Sequence, residues 1–109
     1  MSAQELTLEA SEFIATCRAL KAASAGSRRF VELRFEPSSL TIEGEMGGGV
    51  VRTTGDFRAH LKVPSGLLAK VASLHRTSAK THPWIKCTLD NELGEIRFPL
   101  GGLKARFQR

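Results

Sequence analysis

Residues 30 to 35 alternate: Val31, Leu33 and Phe35 are apolar, and the residues between them, Glu32 and Arg34, are charged. Residues 84 to 89 do the same, with Ile85, Cys87 and Leu89 around Lys86 and Thr88. A period of two predicts strands with one face buried and the other in water. Elsewhere the spacing is helical. Phe13, Ile14, Cys17 and Leu20 in "SEFIATCRALKAAS", and Leu67, Leu68, Val71 and Leu74 in "SGLLAKVASLHRTS", each define one apolar face. Two helices are expected there. Ala10-Ser11 and Pro64-Ser65 stand at their starts, where Ser or Pro suits the unpaired amides of a first turn. A short extended segment precedes each helix, "ELTLE" and "DFRAHLKV".

The two patterns are one pattern seen twice. At an offset of 54 residues Ser11 falls on Ser65, Ala15 on Ala69, Leu20 on Leu74 and Ser24 on Ser78. The offset persists through Ile42 on Ile96 and Arg52 on Arg106, and Met46-Gly47-Gly48 falls on Leu100-Gly101-Gly102. "EPSS" and "DNEL" supply turn chemistry at matching places. Each unit therefore reads strand, helix, three strands. The glycines at 47 to 49 and at 101 to 102 are expected to form turns between strands, where φ > 0 is wanted. One detail is out of step. Leu6 and Leu8 are displaced by one residue from Leu61 and Val63. The expected fold is a single α+β domain over 1–109, a duplicated βαβββ unit (about 1–54 and 55–109) with two helices side by side on antiparallel sheet.

Composition adds little and excludes much. The chain has 109 residues, 41% of them hydrophobic, enough for a modest core. It has no apolar run of membrane-spanning length, so no membrane partner is expected. The first residues carry Glu5 and Glu9 where a secretory signal needs a basic start and an apolar stretch, which points to a cytoplasmic protein. Cys17 and Cys87 fall at core-facing positions and read as reduced, buried thiols. There is no C-x-x-C or H-x-x-x-H pairing, and His60, His75 and His82 are scattered. "MGGGVVR" lacks both the Lys-Ser/Thr pair and the G-x-G-x-x-G spacing of a phosphate loop. No metal, no cofactor and no catalytic constellation is expected.

The net charge of +5 becomes informative through its placement. The helices and the loops after them hold Arg18, Lys21, Arg28, Arg29, Lys70, Arg76 and Lys80, and a single acid, Glu12. The strands hold most of the acids, interspersed with bases. Arg and Lys on a helical face reach nucleic-acid backbone more readily than base edges. The aromatic residues are mostly Phe at core positions, which gives stacking on single strands little support. Phe30 and Trp84 are exceptions, at equivalent places on the wet face of their strands.

The ordered combination resembles one domain of the DNA sliding clamps, the polymerase processivity factors of the bacterial beta-clamp type. The features that carry the resemblance are Val63-Pro64-Ser65 leading into Leu67-Leu68, the element Arg97-Phe98-Pro99-Leu100, and "LKAASAGSRRFVELRFEPSSLTIEG". In that family helices line the inner wall of a ring around duplex DNA, and sheets form its outside. The resemblance implies sequence-independent contact with the DNA backbone through Arg18, Lys21, Arg28, Arg29, Lys70, Arg76 and Lys80. It also implies service in DNA replication or repair. Known clamps join two or three such domains in one chain, and this chain has one, so an equivalent ring takes six copies paired through edge strands. The competing expectation is a clamp-fold protein–protein module without DNA binding: an adaptor, an inhibitor of a replication protein or a hetero-ring subunit.

Overall fold

A computed structural model describes residues 3–24, 30–44, 47–55, 58–76 and 81–108, with side chains for all of these except 3, 20–24 and 100. In chain order the elements are β1 (Ala3–Glu9), α1 (Ala10–Ser24), β2 (Phe30–Glu36), β3 (Ser39–Glu43), β4 (Gly48–Thr54), β5 (Ala59–Pro64), α2 (Ser65–His75), β6 (Trp84–Asp90), β7 (Glu95–Phe98) and β8 (Leu103–Arg106), with a 3-10 turn at Leu100–Gly102. The strands form one antiparallel sheet in the order β5-β2-β3-β4-β1-β6-β7-β8. Its two ends come round to meet. Lys62 and Gln108 exchange backbone hydrogen bonds of 2.6 and 2.9 Å, so the sheet is nearly a barrel. Two junctions are thin: this single bridge, and the two residue pairs Thr7–Thr54 and Leu8–Thr53 that join β1 to β4.

The alternation read from the sequence decides which side of each strand is buried. Leu6, Leu8, Val31, Leu33, Phe35, Leu61, Val63, Ile85, Cys87 and Leu89 point into one core, which α1 and α2 cover from the same side. Phe13 of α1 and Phe98 of β7 set their rings 6.3 Å apart at its centre. The one-residue displacement of the first strands also has its explanation. Glu9 pairs with Trp84, and Pro64 pairs with Phe30. Trp84 and Phe30 are 54 residues apart, Pro64 and Glu9 are 55. The ladders are therefore equivalent, and α1 takes up the additional residue in its first turn, before Phe13.

Two expectations fail. Leu74 is not in the buried stripe of α2. It is 43% exposed, and Ala72 and His75 are buried instead. Leu74 lies over Gly101 of the 3-10 turn, at the rim of the core. His75 is accommodated because its Nδ1–H donates to the Val71 carbonyl at 2.9 Å. The second failure concerns the glycine run. Gly101 and Gly102 do have positive φ, but Gly47, Gly48 and Gly49 do not. Gly47 closes a turn by accepting from the Gly44 amide, while Gly48 and Gly49 lie inside β4, paired with Glu43 and Ile42. The physical reason for glycine at 49 is close approach. A Cβ there would stand 2.7 Å from Thr16 Oγ1 on α1.

Both cysteines are free and buried. Burial pushes the Cys17 thiol up to about 12 and raises that of Cys87 further, which leaves both unreactive.

The approach of β4 to α1 is testable. Gly49→Ala should destabilise the protein by about 1–3 kcal/mol, as overpacking of a filled core does. Adding Thr16→Ala should recover part of that loss. Denaturant melts of the two variants check both statements.

Candidate nucleic-acid interface

Each helix grows directly out of a strand. β1 passes into α1 between Glu9 and Ala10, and β5 passes into α2 between Pro64 and Ser65. The start of α1 is closed by Glu9, not by Ser11 as expected. The Glu9 carboxylate accepts from the Ser11 amide at 3.2 Å, the Glu12 amide at 2.7 Å and the Ser11 hydroxyl at 2.7 Å, so the strand's last side chain satisfies the helix's first amides. Burial alone would raise the Glu9 carboxyl. The hydrogen bonds from Ser11 and Glu12 and the nearby charge of Arg52 outweigh it and hold the group below 4.5. The start of α2 has no such device: Pro64 makes no side-chain cap, and no acid stands in the first turn.

Glu12, the one acid expected among the helix-layer bases, is engaged. Its carboxylate accepts from the Arg52 amide at 2.9 Å and from Arg52 Nε at 3.2 Å, which ties α1 to β4. The bases are not. Arg18 on α1, Lys70 on α2 and Arg76 just past its end are exposed, and among the described residues none of the three takes part in an ion pair. α1 and α2 pack against each other, which brings these bases into one layer. Among the described side chains, the other exposed residues of the two helices are mostly small, Ser11, Ala15, Ala19, Gly66 and Ser73, with Leu74 beside Lys70 as the exception. Lys21 lies on α1 in a stretch whose side chains are not described. Arg28, Arg29 and Lys80 lie outside the described residues.

The other face of the sheet differs. There acids and bases meet across the ladders, Arg34 with Glu43 at 3.7 Å, His60 with Glu32 at 3.3 Å and Arg97 with Asp90 at 2.7 Å. Phe30 and Trp84 lie on this face, 44% and 42% exposed, so the helix layer has no aromatic platform among its described residues. Two features of the helix layer were not legible beforehand. One is the Glu12–Arg52 tie, whose partners lie far apart in sequence. The other is a shallow notch beside Lys70, between Leu74 and the Gly101–Leu103 turn. Neither leaves a local signal.

Among the described residues no helix is long and apolar enough to cross a membrane, and no three His, Cys, Asp or Glu side chains are grouped as metal ligands. No protein-family model, curated protein or solved structure matches the chain.

The Glu9 cap has a pH signature. A carboxyl held below 4.5 adds stability above that value and loses it as the pH falls through its lowered one. Glu9→Ala should cost about 1 kcal/mol near neutral pH. The gap between variant and parent should close in acid, as read from urea midpoints across a pH series.

Proposed function

We propose that this protein is a non-catalytic module that binds duplex DNA through its phosphate backbone, without regard to sequence, using the helix layer. One observation carries the reading: Arg18, Lys70 and Arg76 stand exposed and unpaired on two adjacent helices whose acid, Glu12, is already neutralised by Arg52. Cations on a rigid surface of mostly small residues suit phosphates spaced along a duplex, and displaced counterions supply the driving force. Lys21, Arg28, Arg29 and Lys80, on or just after the helices in sequence, belong to the same DNA-binding set in this reading.

The clamp-like architecture belongs to the proposal as well. Its support is the correspondence of the two ladders, Glu9–Trp84 with Pro64–Phe30 and Thr7–Thr54 with Lys62–Gln108, each related by the same displacements. In a duplicated βαβββ domain of this type the helices face the DNA. Self-association into a ring would proceed through edge strands. Since the ends of the sheet already bridge at Lys62–Gln108, pairing between copies has to compete with that contact. A processivity or repair accessory role, with a replication protein as partner, follows from the same reading.

The experiment is a salt series. Duplex affinity should be the same for unrelated sequences and should fall steeply as salt rises. Lys70→Ala should lower the log–log salt slope by about one unit, and Arg18→Glu with Lys70→Glu and Arg76→Glu should abolish binding while the circular dichroism spectrum is kept. Undiminished binding by the folded triple variant would remove the helix layer from consideration. Light scattering across a concentration series reads the assembly: a species near six copies supports a ring, and a monomer or dimer leaves a module that touches DNA from one side.

A further inference from the structure

One strand of the sheet is left half-paired. β6 is seven residues long and β1 pairs with all of it, but β7 pairs only with Thr88, Leu89 and Asp90. Pro99 is the reason. It has no N–H to continue the ladder, and with φ −57° and ψ −37° it turns the chain into the 3-10 turn. The edge of Trp84–Cys87 on that side is therefore open, and among the described residues no backbone hydrogen bond reaches it there. In the corresponding strand β2 the unpaired stretch is shorter, Phe30 and Val31 only. β3 covers it from Glu32 to Glu36.

The open edge sits in a grooved surface on the face of the sheet away from the helices, where Glu5 and Lys86 line the same depression. Two adjoining depressions share Thr88 and Pro99. Lys86 and Thr7 line one of them, Arg97 and Lys104 the other. Lys86 and Lys104 are exposed and, among the described residues, in no ion pair. Arg97 is matched by acids, with one nitrogen 2.7 Å from Asp90 and Nε 3.9 Å from Glu95. Trp84, at the end of the open stretch, offers an exposed ring.

We infer that the Trp84–Cys87 edge accepts an extended acidic segment of a partner protein as an added strand. Backbone hydrogen bonds from the open edge supply the ladder. Lys86 and Lys104 meet carboxylates on alternate residues of the segment, and Trp84 covers an apolar side chain. A second copy of this chain is a poor occupant, because strand pairing would set its Lys86 and Lys104 against the same charges. The inference does not depend on duplex binding, since none of these residues lies in the helix layer.

The probe is a fluorescent peptide of about eight residues alternating Val and Glu, titrated into the full chain by anisotropy, with hydrogen exchange to locate it. Saturable binding is expected, with new amide protection confined to residues 84–87. Lys86→Glu with Lys104→Glu should weaken it about tenfold or more. The same peptide N-methylated at alternate residues keeps its charge but cannot form the ladder, and it should not bind. The Arg18→Glu, Lys70→Glu, Arg76→Glu variant should bind the peptide as the parent does, whether or not the parent binds DNA. No binding at millimolar peptide, equal binding of the N-methylated peptide, or protection elsewhere would each overturn the assignment.

Discussion

The first strand of each half pairs with the second strand of the other, β1 along all of β6 and β5 along most of β2. Within its own half β1 has only the two pairs with β4. The exchange also aims the helices. α1 and α2 leave their strands with no loop between, so the ladder in the opposite half fixes where each helix starts and which way it turns. Both come to rest side by side on the same face. The direct contacts that close the barrel are slight by comparison, two residue pairs at one seam and one bridge at the other. Contacts that join residues so far apart in sequence carry a loop-closure cost before they form, which slows folding.

That constraint explains what could and could not be read in advance. Period-two alternation at 30–35 and 84–89 is a local consequence of one buried face, and it marked β2 and β6 to within one residue at their ends. The stripes at Phe13, Ile14, Cys17 and at Leu67, Leu68, Val71 marked the helices for the same reason. Leu74 misled because a helical stripe gives a direction and not a depth. Only the position of the 3-10 turn decides that this leucine ends at the rim. The glycines of "GGGV" misled in a different way. A run of three is the ordinary signature of a turn, whereas Gly49 answers to Thr16, a residue on another element. Glu9 as the cap of α1 was hidden by the nearby serine, which has the better reputation for that role and here donates its hydroxyl to the carboxylate.

The candidate surface was legible in part. That bases cluster in the helices and acids in the strands is visible in the letters alone. That Glu12 is cancelled by Arg52 is not, and this contact turns a mostly basic layer into one whose described bases are unopposed. Sequence order likewise placed Phe30 and Trp84 outside the core, but not on the side of the sheet away from the helices.

A chain with 16 bases and 11 acids has to leave some positive charge unmatched, and the architecture decides where. Strands set opposite charges side by side: Glu43 reaches Arg34 from the neighbouring ladder, and Asp90 reaches Arg97. A helix has no cross-strand neighbour. Its exposed bases find an acid only on their own helix or across the helix pair, and these helices carry almost none. Unmatched charge therefore collects on the helix layer because its elements are helical. Lys86 and Lys104 stay unmatched for other reasons: the ladder that would have brought Lys86 a partner stops at Pro99, and the ladder partner of Lys104 is Arg97, itself a base. Unmatched charge on the helix layer thus comes from the kind of element, and that on the sheet from an interrupted ladder and a like-charged pair.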